Sequence, residues 1–272
     1  MKLGTWLVQK LSHYLLTPVR PSRNFLCDFS RIRHEVRTAD VLLIEGRNRI
    51  SHIIQSITQS PWSHAALYIG HIQTVEDPKL REYIQQNYKG SLSEQLLVEA
   101  VIGEGTIIVP ISKYKEEHIR VCRPSGLSHH DGQKIIEYAL KSIGRTYNLR
   151  HFFDLGRFLL SSKFIPRRWH SSLFKNSKGK AKQDICSVMI AKAFASIKFP
   201  ILPLIRKNED RQMEMIRRNP KLYAPSDFDY SPYFDIIKYP MMPVMGFSAY
   251  RHLPWQDELI SNDDHGLAPT DD

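Results

Sequence analysis

Residues 184–194 carry apolar side chains at the spacing of one helix face, and a cysteine lies at the start of this stretch. Asp184 is a residue type that favours a helix N-cap. The apolar positions after it are Ile185, Val188, Met189, Ala193 and Phe194. A helix of this kind must bury its apolar face against another layer, which the rest of the chain has to supply.

Cys186 falls in the first turn of this predicted helix. Backbone N–H groups of a first turn lack intrahelical partners, and the helix dipole is positive there, so the site lowers the pKa of a thiol and can stabilise an oxyanion. The alternative is a small apolar residue of a core helix, as free cysteines usually are. A catalytic role therefore depends on a histidine elsewhere in the chain.

Short apolar runs predict a sheet. The strand predictions are residues 39–45, 63–70, 95–101, 105–110 and 118–123, with 234–239 as a candidate closing strand. Gly103 indicates a hairpin between the third and fourth of these runs. Helices are predicted over 50–57 and 128–143, and residues 73–95 form a polar, helix-prone excursion. Residues 21–37 read as basic and irregular.

Two polar residues of the predicted sheet are candidates for chemistry. His64 begins one strand, where a histidine is more often structural than catalytic. Glu99 stands inside an apolar strand, where a carboxylate is costly unless it is paired. Its partner is either an arginine or a histidine that it orients.

The composition indicates a globular protein with a positive charge but does not identify its binding partner. The content of 42% hydrophobic and 24% charged residues is that of a globular protein, and the net charge of +10 allows nucleic acid, an anionic membrane or an acidic substrate. No nucleic-acid module signature is present, so no nucleic-acid partner is expected. The cysteines, Cys27, Cys122 and Cys186, are far apart and show no C-x-x-C spacing, which predicts neither a disulfide framework nor a zinc site.

Two segments suit a membrane surface. Residues 3–16 have the pattern of an amphipathic helix, and 157–182 is a basic run without acidic residues that precedes Cys186. Packing on the domain and a solvated loop are the respective alternatives. No run of 18 apolar residues occurs, and residues 1–16 lack the apolar centre of a signal peptide, so we expect a cytoplasmic protein, with the inner membrane face as a peripheral location.

Three motifs in order resemble those of a known enzyme family. They are Trp62-Ser63-His64-Ala65-Ala66-Leu67-Tyr68-Ile69-Gly70, Leu97-Val98-Glu99-Ala100 and Cys186-Ser187. They look like the motifs of the YiiX-like permuted papain-like enzymes, the circularly permuted branch of the NlpC superfamily. Weaker matches over about residues 38–240 are Ala39-Asp40-Val41, where the family has a glycine first, Gly144-Arg145-Thr146-Tyr147-Asn148, where Asn148 replaces an aspartate, and Pro225-Ser226-Asp227.

The resemblance implies an α+β, permuted papain-like (NlpC-type) fold, in which an antiparallel sheet with His64 and Glu99 packs against the helix bearing Cys186. It divides the chain into an N-terminal amphipathic helix and basic linker (1–37), a catalytic domain (38–254) with insertions at 73–95 and 157–182, and an acidic tail (255–272) that is predicted to be disordered.

The resemblance also assigns roles. Cys186 is the nucleophile, His64 its general base and later acid, and Glu99 the group that orients His64. The backbone N–H of Cys186 would belong to an oxyanion hole, and the reaction would proceed through a thioester without a metal or organic cofactor. The residues expected to contact substrate are Tyr147, Ser63, Ser187, Arg167 and Arg168, with a core position as an equal alternative for Tyr147.

The function implied is a thiol hydrolase that acts on an amide or an acyl ester of a peptide or lipid. Two alternatives stay open. One is a membrane-associated lipid acyltransferase or phospholipase of the lecithin:retinol acyltransferase-like type, which the segments 3–16 and 157–182 favour. The other is a non-catalytic module that binds a membrane or a protein.

Overall fold

A computed structural model describes residue 17 and residues 26–101, 104–144, 186–208, 211–256, 258–261 and 267–269. The helices are α1 (Phe29–Glu35), α2 (Arg49–Thr58), α3 (Pro78–Asn87), α4 (His129–Leu140), α5 (Cys186–Ser196) and α6 (Ser226–Tyr230). The strands are β1 (Val41–Glu45), β2 (His64–Gly70), β3 (Leu96–Val101), β4 (Gly105–Pro110), β5 (His118–Pro124), β6 (Leu204–Lys207), β7 (Met213–Ile216), β8 (Phe234–Ile237), β9 (Leu259–Ser261) and β10 (Leu267–Pro269).

Six strands form one antiparallel sheet in the order β4-β3-β2-β1-β5-β8. The predicted strands are therefore confirmed, and β8 closes one edge by pairing Phe234 with Pro124 of β5. The predicted hairpin of β3 and β4 is confirmed by the pairing of Val101 with Gly105, while Gly103 lies outside the described residues.

Side chains alternate between the two faces of the sheet, and both faces are covered. One face, with Val41, Leu43, Leu67 and Val98, packs against apolar residues of α4 and α5. The other face, with Leu42, Ile44, Ala66 and Leu97, packs against Ile32 of α1 and the short 3-10 helix Ile111–Tyr114. The chain is thus α+β, with the cysteine-bearing helix on one side of an antiparallel sheet.

Helix α5 is buried almost all round, because Met189, Ile190 and Phe194 are fully inaccessible. The helix predicted over 128–143 is confirmed as α4, where the hydroxyl of Ser128 accepts the N–H of Asp131 as an N-cap. The helix-prone excursion contains α3, and the helix predicted over 50–57 is α2.

Three segments contain elements that were not predicted from the sequence. The irregular segment at 21–37 contains α1, which Asp28 caps and whose Ile32 is buried; seven residues gave too short a periodicity to detect. The charged stretch after α5 contains the hairpin of β6 and β7. The tail expected to be disordered holds a short antiparallel pair, β9 with β10.

A buried ion pair fixes the start of β1. Asp40 is 1% exposed, and Arg123 of β5 holds it with Nε–Oδ1 and Nη2–Oδ2 distances of 3.0 and 2.8 Å. Ala39, just before it, has φ 67°, a left-handed conformation that favours glycine, so the family's usual glycine at this position has a backbone reason.

Replacing Arg123 should destabilise the fold strongly. Arg123→Met leaves the Asp40 carboxylate buried without its counter-charge, which we expect to lower the free energy of unfolding by about 3 kcal/mol. Urea unfolding followed by circular dichroism measures the change. The matched control is Arg206→Met, because Arg206 pairs with Glu214 on the surface with side chains 60% and 38% exposed; its cost should stay below about 1 kcal/mol. Equal costs for the two variants would contradict the role of the Asp40 pair.

Candidate active site

Strands β2 and β3 separate at one end of the sheet, and α5 begins there. Their ladder pairs Leu67 with Val98 and ends at that pair. Because the N–H of Tyr68 donates to Asp40 of β1, the N–H of Ala65 points the other way, towards the side of β3. It finds no strand partner and instead hydrogen bonds to the sulfur of Cys186. The sulfur of Cys186 thus accepts a hydrogen bond from a backbone N–H that has no acceptor in the β2–β3 ladder.

His64 and Glu99 lie on the same face of these neighbouring strands. The Nε2 atom of His64 is 2.7 Å from Oε2 of Glu99. The histidine side chain is 19% exposed, whereas the carboxylate is fully buried. The residue that sequence analysis expected to be paired is therefore paired with the histidine.

The sulfur of Cys186 meets three groups. The imidazole of His64 hydrogen bonds to it, as do the backbone N–H groups of Ala65 and Ser187. Nε2 of the imidazole is hydrogen bonded to Glu99, so Nδ1 is the nitrogen that can hydrogen bond to the sulfur. The structure thus brings together all three residues that the sequence analysis assigned to catalysis.

The charges of the site support an ion pair between cysteine and histidine. Burial alone opposes both charges, but the positive imidazole and the N–H groups outweigh it and lower the pKa of Cys186. Burial likewise opposes the charge of His64, while the thiolate and then Glu99 raise the pKa of His64 to about 10. Between these two pKa values the thiolate and the imidazolium coexist, so a deprotonated sulfur and a protonated imidazole face each other.

Glu99 stays ionised in the interior. Burial favours its neutral form, but His64 and then Lys113 lower its pKa to about 2. Lys113 Nζ lies 2.5 Å from Oε1, and the hydroxyl of Tyr114 donates to Oε2. Neither residue was predicted from the sequence. A buried carboxylate needs more than one donor, but no pattern indicated that the Lys-Tyr pair on a short 3-10 helix supplies them.

The residues expected to contact substrate have different positions. The hydroxyl of Ser63 is buried and accepts the N–H of Gly46, and that of Ser187 is buried and donates to the carbonyl of Tyr223. Both hydroxyls hold backbone in place, and a substrate contact by either stays a prediction. Tyr147, Arg167 and Arg168 lie outside the described residues, as do Asp184 and the basic run 157–182.

A second polar cluster anchors the turn before His64. The guanidinium of Arg120 lies 4.7 Å from the ring centre of Trp62 and binds both oxygens of Asp229 at 2.8 Å. Asp229 also accepts a hydrogen bond from the indole N–H of Trp62.

The Pro225-Ser226-Asp227 motif has a structural role. The carboxylate of Asp227 accepts a hydrogen bond from the N–H of Ala224 and forms an ion pair with Arg218. Within the described ranges no group of three or more His, Cys, Asp or Glu side chains is placed to hold a metal ion.

A helix N-terminus that carries a cysteine, against a sheet that carries its histidine and acid, defines the papain-like cysteine hydrolases. Here the histidine and acid precede the cysteine in the chain, so the order is permuted. The sequence profile of the permuted papain-like amidases, the YaeF/YiiX or C92 family, matches residues 35–174, just over half of the chain. The chain belongs to this family. The match ends before Cys186, so it does not cover the nucleophile candidate.

The fold has a counterpart among solved structures. The crystal structure of metalloprotein yiiX from Escherichia coli O157:H7 is similar to this chain, with 15% sequence identity, coverage of 75% of this chain and 97% of that one, and a TM-score of 0.45. No curated protein matches the chain.

The reactivity of Cys186 should depend on His64. We expect iodoacetamide to alkylate Cys186 rapidly at pH 6, because its lowered pKa keeps the thiolate present until the pH falls through that value. In His64→Ala the counter-charge is lost and the rate at pH 6 should fall about a hundredfold, as for a thiol with a pKa of about 8.5. Mass spectrometry of the peptides separates Cys186 from Cys27 and Cys122, whose pKa values burial raises.

The matched control for this experiment is His118→Ala. His118 is also half-buried and also touches a carboxylate, Glu45, at 2.8 Å. Its loss should leave the alkylation rate of Cys186 unchanged. Slow labelling with an ordinary pH profile in both the wild type and His64→Ala would contradict the ion pair.

Proposed function

We propose that this hydrolase cleaves an amide bond with Cys186 as nucleophile, His64 as proton carrier and Glu99 as the group that orients His64. The observation that carries the proposal is the continuous chain of contacts from the sulfur through the imidazole to the buried carboxylate. Membership of an amidase family supports an amide as the bond that is broken.

The reaction follows from the positions of these groups. The thiolate attacks the carbonyl carbon, and the π electrons move to the oxygen to give a tetrahedral oxyanion. The backbone N–H of Cys186, at the start of α5, supports this oxyanion. Collapse breaks the C–N bond as imidazolium Nδ1 gives its proton to the leaving amine, which leaves a thioester on Cys186.

The second half of the reaction reverses these roles. Neutral His64 takes a proton from a water molecule, and the resulting hydroxide attacks the thioester carbonyl. The C–S bond then breaks and releases the carboxylic acid, while the thiolate and the imidazolium are restored. Throughout, Oε2 of Glu99 accepts a hydrogen bond from Nε2–H of His64, with a distance of 2.7 Å between the two heavy atoms. This bond keeps the proton of the neutral imidazole on Nε2.

The thioester can be trapped without knowledge of the natural substrate. We expect 4-nitrophenyl acetate to release a burst of nitrophenolate and to add one acetyl group to the peptide with Cys186, removable by neutral hydroxylamine. Cys186→Ser and His64→Ala should abolish the burst, and Glu99→Gln should slow it about a hundredfold, because the neutral amide no longer stabilises the imidazolium. Intact-mass spectrometry counts the acetyl groups.

The control for this trap is His118→Ala, which should acetylate like the wild type. Acetylation at another residue, or a burst that survives His64→Ala, would overturn the proposed triad. Comparing kcat/KM for an anilide and an ester of the same acyl group then tests the amide preference.

A second proposal concerns the surface on which the enzyme acts, and here we propose an anionic membrane. No helix among the described residues is long and apolar enough to cross a bilayer. Residues 241–255 nevertheless expose a run of large apolar side chains, in which Phe247 is fully exposed. The members of this C-terminal apolar segment are Met241, Met242, Val244, Met245, Phe247, Tyr250 and Trp255.

The charge of the segment fits anionic lipid. Residues 236–255 contain Lys238 and Arg251 but no acidic residue, and tyrosine and tryptophan suit the headgroup region. The segment starts beside the N-terminal part of the chain, because Met241 N–H donates to the carbonyl of Leu26. The predicted amphipathic helix 3–16 lies outside the described residues.

Vesicle flotation tests this surface. With vesicles of phosphatidylcholine and phosphatidylglycerol we expect the triple variant Met245→Ser, Phe247→Ser, Trp255→Ser to lose about tenfold in binding, since each buried apolar side chain contributes to insertion. The control changes three exposed apolar residues of the hairpin β6–β7: Leu204→Ser, Met213→Ser and Met215→Ser. Equal flotation of both variants, or no binding by the wild type, would refute the membrane proposal.

A further inference from the structure

The carboxylate of Glu99 has more partners than a triad requires. Oε2 accepts hydrogen bonds from both His64 Nε2 and the hydroxyl of Tyr114, and Oε1 accepts from Lys113 Nζ at 2.5 Å. Lys113 and Tyr114 are consecutive residues of the 3-10 helix that follows β4. The ammonium of Lys113 also lies 5.3 Å from the ring centre of Tyr114. Two adjacent residues therefore hold the two oxygens of one carboxylate.

This arrangement matters because a glutamate carboxylate rotates easily. Its terminal torsion has a broad energy profile, so a single hydrogen bond to His64 does not fix which oxygen faces Nε2 or at what angle. A separate donor on each oxygen removes that freedom. Tyr114 binds the same oxygen as His64 and is itself buried.

We propose that Tyr114 is a positioning residue of the active site: together with Lys113 on the other oxygen, it locks the Glu99 carboxylate in the orientation that holds His64 towards Cys186. The proposal rests on the triad proposed above and adds to it a second set of donors behind the acid. Tyr114 does not touch the reacting atoms and acts through Glu99.

The chemistry of the tyrosine suits this task. Burial, followed by the charge of Glu99, raises the pKa of Tyr114, so its hydroxyl remains a donor at any pH at which the ion pair exists. The groups around His64 then alternate in charge: thiolate, imidazolium, carboxylate and ammonium. Lys113 is 40% exposed, so its positive charge lies at the edge of the site. Tyr114 donates a hydrogen bond from the interior and so fixes the orientation of the carboxylate.

A purely structural role makes a different prediction. If Tyr114 and Lys113 only compensate the burial of Glu99, their loss lowers stability but leaves the folded molecules fully reactive. If they position the carboxylate, the folded molecules react more slowly and the hydrogen bond of the imidazole changes. Reactivity per folded molecule and the environment of the Nε2 proton therefore separate the two roles.

The test uses Tyr114→Phe, which keeps the ring and removes only the hydroxyl. We expect acetylation of Cys186 by 4-nitrophenyl acetate to slow about tenfold at pH 7 at unchanged folded fraction, a ratio equivalent to about 1.4 kcal/mol. In proton NMR spectra the downfield signal of His64 Nε2–H should shift or broaden, since a charge-assisted bond has been loosened. Rates are normalised to the folded fraction from thermal unfolding.

Tyr88→Phe is the matched control. Tyr88 is also buried, and its hydroxyl donates to a glutamate, Glu94, at 2.5 Å away from the triad. This variant loses the same type of bond and should acetylate like the wild type, with the signal of His64 in place. A Tyr114→Phe protein with lowered stability, a wild-type rate and an unmoved His64 signal would overturn the positioning role.

Lys113 gives an independent check if Tyr114→Phe does not fold. Lys113→Met should slow acetylation about threefold and move the His64 signal, and Lys113→Arg should restore both, since arginine keeps the charge on Oε1. Wild-type behaviour of Lys113→Met would overturn the proposal. Failure of the triad itself shows differently, as a wild-type protein whose acetylation does not require His64.

Discussion

The candidate active site depends on a carboxylate buried inside an apolar sheet. Glu99 has no contact with water, and its charge persists because His64, Lys113 and Tyr114 all donate to it. Removing one donor from such a group is costly, so the three donors and the strands that bear them are constrained together. The same charge makes the imidazolium of His64 stable and, through it, the thiolate of Cys186.

The second constraint is the point where two strands separate. If β2 and β3 were paired to their ends, the N–H of Ala65 would face a strand carbonyl. Their ladder stops at Leu67 and Val98, and the first turn of α5 reaches the sheet beyond that point. The sulfur of Cys186 therefore accepts the hydrogen bond from the N–H of Ala65. One local feature thus both docks the helix and presents the sulfur to His64, which links the packing of the core to the chemistry of the site.

Sequence patterns predicted the elements more readily than the contacts between them. Alternating or continuous apolar runs gave the strands, and the isolated Glu99 in such a run correctly indicated a buried polar pairing. Lys113 and Tyr114 were not predictable, because a 3-10 helix has no long periodicity and its partners are distant in sequence. Helix α1 was missed for the same reason, since seven residues hold only two turns. The motif resemblance indicated the partners of Cys186, which spacing alone did not.

The order of the elements along the chain has a consequence for synthesis. Strands β1 to β5, with the histidine, the acid and its two other donors, leave the ribosome well before α5. Until then a nascent chain holds His64 and Glu99 without Cys186, and the edge of β5 stays unpaired until β8 is made. A chain truncated before residue 186 lacks Cys186 and with it the nucleophile of the proposed reaction. The permuted order therefore adds the proposed nucleophile to a chain in which the strands that carry its histidine and acid have already been made.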